Sequence, residues 1–256
     1  MKLPPPATAP PMEFQNAKGS TVPEEFAMAA RKNPDVIGQM AETRSEVKEL
    51  QTEALVRQYV IIVDRSGSMT TSDGLMKTRW DSARKAVEKL VDTVFKYDTD
   101  GRVPMYLFDD QVEFVGECTS SSQVKGVFEG YQPRGTTDLA KCLDVALKQY
   151  SGKMRPDYSV IPGTTYLVLL DGSTDDNEAV KTVLHHYADP ASGYIENHTQ
   201  IAISFIQLGD NEGATRFLKE LDEGSPGYPD ICDTLKDNEL FAKGGVDKCL
   251  YNAIFD

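Results

Sequence analysis

The chain has 256 residues, 40% of them hydrophobic, enough for one good-sized core plus an extension, and it has no run of about 18 apolar residues of the kind that spans a membrane. Its 40 acidic residues outweigh 27 basic ones to a net charge of -13, and because Lys and Arg are scattered, a polyanion such as nucleic acid would be repelled. The four cysteines, Cys118, Cys142, Cys232 and Cys249, lack Cys-x-x-Cys spacing, which argues against thiol-bound zinc and for isolated thiols of a reducing compartment, with cytoplasm as the expectation.

Residues 1–22 are rich in Pro, Ala, Gly and Thr and predict a flexible tail, and Met1-Lys-Leu-Pro-Pro-Pro lacks the apolar run of a signal peptide. Residues 23–58 form an amino-terminal extension, helical from Pro34 to Gln58, where Ile37, Met40, Val47, Leu50 and Ala54 recur at three-to-four spacing. So narrow a stripe suits either a helix packed on the side of the domain or a docking or coiled-coil helix for a partner.

Residues 59–256 alternate strands with helices. Tyr59 to Val63 is a continuous β-branched and aromatic run, the pattern of a central strand buried on both faces, and Asp64 falls at its carboxyl end. Trp80, Ala83, Val87, Leu90, Val91 and Val94 make one stripe of a long helix that Lys96 to Gly101 closes. Val103 to Phe108 predicts a second strand ending in Asp109 and Asp110, with Gln111 to Val115 as a short antiparallel edge strand joined by a hairpin. A short helix with Val124, Val127 and Phe128 inward follows. The loop Tyr131-Gln-Pro-Arg-Gly-Thr-Thr-Asp138 then leads into a helix capped by Asp138, whose face is Leu139, Cys142, Leu143, Ala146 and Tyr150.

Thr165 to Leu170 reads as another apolar strand, stopping in Asp171-Gly172. Val180, Val183, Leu184 and Tyr187 mark a helix, Ile201 to Leu208 a strand ending in Gly209-Asp210, and Ala214, Phe217, Leu218 and Leu221 the next helix. Residues 224–245 are turn-rich with an edge strand near Ile231, and Val246, Cys249, Leu250, Ala253 and Ile254 face inward on a terminal helix. The alternation predicts an α/β fold: a doubly wound, mostly parallel sheet with helices on both faces. Ligands of such sheets bind beyond the carboxyl ends of the strands, where the winding reverses. Asp64, Asp109, Asp171 and Asp210 all fall there, and four carboxylates at one rim repel one another unless a cation lies among them.

Asp64, Ser66 and Ser68 alternate around Gly67, so a tight loop aims a carboxylate and two hydroxyls at one point. With no His or Cys among them, these oxygens suit a hard cation such as Mg²⁺; the plain alternative is a solvated turn whose serines cap the next helix. A phosphotransferase using Asp64 as nucleophile would need a second Asp two positions on, where Ser66 stands. Neither serine has the glycines of a nucleophile elbow, and no Gly-rich phosphate loop is present. His185, His186 and His198 lack ligand spacing and read as surface residues. Asp175 and Asp176 read as helix-start residues.

Taken together, Asp64-Arg-Ser-Gly-Ser68, a threonine of the Arg-Gly-Thr-Thr-Asp loop and Asp171-Gly172 after an apolar strand resemble the von Willebrand factor A domain with its metal-ion-dependent adhesion site, over roughly Tyr59 to Asp256. The resemblance implies a non-enzymatic protein-binding module. Ser66, Ser68, Asp64, Thr137 and Asp171 would hold Mg²⁺, or Mn²⁺ or Ca²⁺ in its place, and an Asp or Glu of a protein partner would complete the coordination. Thr136 is the alternative to Thr137, and Leu170 replaces the threonine common before Asp-Gly. The family also implies an adaptor beside an ATPase or another large complex, and in some members a carboxyl-terminal helix, here Val246 to Phe255, that shifts with the site. A scaffold of the same fold that no longer uses metal is the competing expectation.

Overall fold

A computed structural model of the chain describes residues 55–72, 78–154, 163–172, 174–195 and 198–255. The expected tail and the amphipathic stripe from Ile37 to Ala54 lie outside them. The expected helix does not extend over residues 55–58: Leu55 and Val56 are turn and coil, Arg57 bridges Asp98, and Gln58 already pairs with Thr164.

Six strands, β1 (Gln58–Asp64), β2 (Val103–Phe108), β3 (Val112–Cys118), β4 (Thr164–Leu170), β5 (Ile201–Gln207) and β6 (Cys232–Lys236), form one sheet in the order β3-β2-β1-β4-β5-β6. All neighbours are parallel except β2 and β3, whose hairpin carries an irregularity between Met105 and Tyr106. The helices are α1 (Arg79–Tyr97), α2 (Ser121–Gly130), α3 (Leu139–Met154), α4 (Asn177–Ala188), α5 (Glu212–Asp222), α6 (Asp237–Phe241) and α7 (Gly245–Phe255).

Strand periodicity divides the core. Tyr59, Ile61 and Val63 of β1 point into a layer with Trp80, Val87 and Leu90 of α1, Phe128 of α2 and Leu250 of α7. Val60 and Ile62 point the other way, onto Leu139 and Leu143 of α3, Val180 and Leu184 of α4, and Phe217 and Leu218 of α5. Because both faces are covered, β1 has no polar position before Asp64 except Gln58 at its start. Helix starts are capped locally. Thr78 and Asp81 form a reciprocal capping box on α1, Lys141 N–H bonds Asp138 at 3.0 Å, and Asn211 accepts from Gly213 and Ala214 at α5.

The sequence reading holds for the buried strands and long helices. β3 runs on to Cys118, three residues beyond the expected edge strand, and α6 is a single turn that the turn-rich composition of residues 224–245 concealed. Among the described residues no helix is long and apolar enough to cross a membrane.

Strand order places the site. From β1 the chain moves outward to β2 and β3, then returns to the other side of β1 as β4 and continues to β5 and β6. The connections leaving β1 and β4 therefore depart to opposite faces, which opens a crevice between the carboxyl ends of these two strands.

Candidate functional site

Three loops meet at this crevice. The first leaves β1 at Asp64, which is fully buried. Its Oδ1 accepts the Ser66 N–H at 2.7 Å, an Asx-type turn that folds the chain back over the carboxylate. The Ser66 and Ser68 hydroxyls lie 2.9 Å apart, and a short 3-10 helix, Gly67–Thr70, anchored by the buried Met69, fixes their direction. Asp64 Oδ2 is buried and has no hydrogen-bond partner among the described residues.

The second loop is stitched to the first through the backbone: Arg134 N–H donates to the Arg65 carbonyl at 2.7 Å and Gly67 N–H to the Gly135 carbonyl at 3.1 Å. Gly135 adopts φ +69°, and a side chain there would run into the Asp110 carboxylate. Of the two candidate threonines, Thr137 is buried at 6% exposure and Thr136 is exposed. Thr137 N–H donates to Asp175 Oδ2 at 3.1 Å, and Asp175 N–H returns a bond to the Thr137 carbonyl at 3.0 Å, which ties the second loop to the third. The third loop begins at Asp171, fully buried, whose Oδ2 lies 2.8 Å from Nη1 of Arg79 at the start of α1.

A buried ion network supports these loops and was not foreseen from sequence. Arg65, the residue between Asp64 and Ser66, donates from Nε to Asp109 Oδ2 at 2.9 Å and from Nη1 to Glu113 at 2.9 Å, with its guanidinium 5.3 Å from the centre of the Tyr131 ring. Arg134 Nε reaches the same Asp109 oxygen at 3.0 Å, and Tyr131 donates to Glu113 at 2.7 Å. No local pattern announces such a network, since an Arg between two site residues reads as a solvated side chain. Of the four rim carboxylates, Asp109 is answered by Arg65 and Arg134, Asp171 by Arg79, and the exposed Asp210 by Lys236 at 3.3 Å; Asp64 has no basic partner among the described residues. Asp210 turns outward and takes no part in the crevice. Asp176 caps α4 as expected from its place, and Asp175, exposed as expected, also ties the second loop to the third. His185, partly buried, stacks on Tyr228 with centroids 4.2 Å apart, and His186 meets Tyr187 and Tyr194 edge-on while remaining exposed, as expected of a surface residue.

Burial pushes the Asp64 carboxyl up to about 7 against the Ser66 hydroxyl and amide and the Asp171 amide, and the nearby Asp171 charge adds to the rise. Burial also opposes the charge of Asp109, but Arg134, the Gln111 amide and Arg65 outweigh it and hold that carboxyl below its usual range. At the other end of β1, burial and the neighbouring Asp100 bring Asp98 up to about 7. A carboxyl raised in the folded state contributes stability that is complete below the unfolded value of about 4 and is lost as pH rises through the folded value. The metal-free protein is therefore expected to melt at a lower temperature at pH 8 than at pH 5, and Asp98→Asn to reduce the difference. Circular dichroism melts across that range check it; a melting point that rises with pH would refute the assignment. Asp109 and Glu113, both shifted downward, act only at more acidic pH.

Among the described residues no three His, Cys, Asp or Glu side chains gather as a metal cluster. The crevice offers instead two buried carboxylates and two hydroxyls. A hard cation accepts such a mixed oxygen set, and the unpartnered Asp64 Oδ2 is the kind of atom that one would satisfy.

The family model of the von Willebrand factor type A domain matches residues 59–161. The structure is similar to that of the SpRpn10 VWA domain, at 12% identity and a TM-score of 0.51, covering 71% of this chain and 87% of that one. It is also similar to the manganese-loaded TRAP protein of Plasmodium vivax, at 15% identity and a TM-score of 0.50, covering 75% of this chain and 74% of that one. No curated protein matches the sequence. The sequence match runs from β1 past the end of α3, less than half of the chain, and the likeness to solved structures shows a fold shared with those proteins.

Proposed function

We propose that this domain is a divalent-cation-dependent protein-binding module that performs no catalysis of its own. The resemblance to the von Willebrand factor type A domain supports an interaction role. The observation that carries the reading is the convergence of Asp64, Ser66 and Ser68 at the switch crevice beside Asp171, with Asp64 Oδ2 buried and lacking a hydrogen-bond partner among the described residues.

Packing alone does not call for this arrangement. A buried carboxylate oxygen without a partner costs about 1–3 kcal/mol or more, whereas a scaffold with an apolar or amide side chain at position 64 would avoid the penalty. Ser66, Ser68, Asp64 and Asp171 would hold the ion with Thr137 beside them, Mg²⁺ being favoured by the hard oxygen set and Mn²⁺ or Ca²⁺ sharing its chemistry. When bound, the cation supplies a position that a partner's Asp or Glu carboxylate completes. The chain's own residues do the rest: the Asx-type turn holds both hydroxyls toward one point, and the loop-to-loop backbone bonds keep that point rigid. On the same reading the chain is an adaptor that joins an acidic segment of one protein to a larger assembly, such as an ATPase complex, which the segment ahead of β1 contacts as well.

Titration of the domain with Mn²⁺, read as free Mn²⁺ by paramagnetic resonance, tests the metal. One saturable site is expected, and at least a hundredfold loss of affinity in the folded Ser66→Ala/Ser68→Ala double variant. No binding by the wild type at millimolar Mn²⁺ would overturn the reading in favour of a metal-independent scaffold.

A further inference from the structure

Arg79 sits in a place that neither helix stability nor packing accounts for. It is the first residue of α1, after the Thr78 cap, where the backbone dipole disfavours a cation. The guanidinium is largely enclosed, at 16% exposure, and reaches across the crevice so that Nη1 donates to Asp171 Oδ2 at 2.8 Å. Its Nε is buried without a hydrogen-bond partner among the described residues, so the side chain does not use its full fork. It also lies hard against Gly209, where an added Cβ would come within 3.1 Å of Nε. A residue held at such a cost to its own hydrogen bonding and to the helix dipole is best explained by what it faces: a buried carboxylate at a crevice whose other carboxylate, Asp64, has no basic partner among the described residues.

We infer that Arg79 is the resident counter-cation of the crevice, balancing Asp171 in the metal-free protein and lowering the site's affinity for divalent metal by charge competition. The inference rests on the metal-binding reading above. Two buried carboxylates with no cation would repel each other and loosen the third loop; with Arg79 in place, one of the two charges is already neutralised and the loops stay assembled while the metal is absent. The consequence is a site that requires a raised metal level, or the added grip of a partner carboxylate, before it fills. Arg79 is thus a residue that tunes affinity without ligating.

The test compares Mn²⁺ affinity and metal-free melting temperature in the wild type, Arg79→Gln and Arg79→Lys. Gln keeps a donor toward Asp171 and removes the charge; Lys keeps the charge on a side chain without the planar fork. Arg79→Gln is expected to bind Mn²⁺ at least tenfold more tightly than the wild type while melting at a lower temperature without metal, and Arg79→Lys to fall between the two in affinity. If Arg79→Gln does not fold, Arg79→Lys alone decides, and an affinity equal to or below that of the wild type overturns the inference. Wild-type binding with an unchanged or weakened Arg79→Gln overturns the charge competition and leaves the metal site standing. Absence of Mn²⁺ binding in every form overturns the metal reading and this inference with it.

Discussion

Asp109→Ala is expected to lower the unfolding free energy by about 3–5 kcal/mol, the range found when one member of a buried ion pair is removed and its partner left uncompensated. Asp109 is fully buried at the end of β2, and Arg65 retains only 3% side-chain exposure. With the carboxylate gone, Arg65 keeps Glu113, which is 39% exposed and cannot replace a buried counter-charge. The exposed Arg134 would lose its anchor to the same oxygen, and the first and second loops one of their ties. For a domain of this size the loss corresponds to a fall in melting temperature of about 10 °C. Arg65→Met should be milder, since Arg134 still answers Asp109, and the Asp109→Ala/Arg65→Met pair should recover part of the single-variant loss. Urea denaturation of the three variants measures this. A loss below 1 kcal/mol for Asp109→Ala would mean that water compensates the network.

The second large effect is expected at Gly172. It follows Asp171 with φ +84°, and a Cβ built there overlaps the Ala214 methyl on α5. Gly172→Ala therefore meets two independent penalties. A left-handed backbone costs a non-glycine residue about 1–2 kcal/mol, and forcing a methyl into filled space costs about 1–3 kcal/mol. The sum, about 2–5 kcal/mol, should appear as lost stability in urea. Because the strain is relieved by moving the third loop away from α5, Asp171 is displaced and Mn²⁺ affinity should fall as well. Ala214→Gly separates the two penalties, since it removes the overlap and leaves the backbone strain. In the double variant the Gly172→Ala penalty should drop to about 1–2 kcal/mol, in line with the backbone term alone. Strictly additive losses would show that the overlap relaxes without consequence.

What the sequence made legible follows from how local the signals are. β1, β4 and β5 are buried on both faces and so read as unbroken apolar runs, which end where their polar loops must begin. That rule alone located Asp64 and Asp171. The Asp64, Ser66 and Ser68 arrangement was legible because its geometry is made within five residues. Long-range contacts were not. Arg65 finds Asp109 44 positions away, and Arg79 finds Asp171 92 positions away, with nothing nearby in the chain to single out either arginine. Asp210 shows the converse: it stands at a strand end like the others, yet it turns to solvent and pairs with Lys236. β6 lies at the sheet edge with three of its five residues partly exposed, so its pattern is too mixed to bound, and α6 is too short for a period to show.

The distribution of the cysteines has a practical consequence. Cys118 and Cys249 belong to the layer over α1, α2 and α7, whereas Cys142 and Cys232 belong to the layer over α3, α4 and α5. All four are buried free thiols, and burial raises each above the ordinary thiol range, Cys249 to about 12. None offers a thiolate to a reagent while its layer is closed. The two halves of the core thus carry separate, chemically silent reporters, and alkylation followed residue by residue distinguishes the opening of one layer from the opening of both.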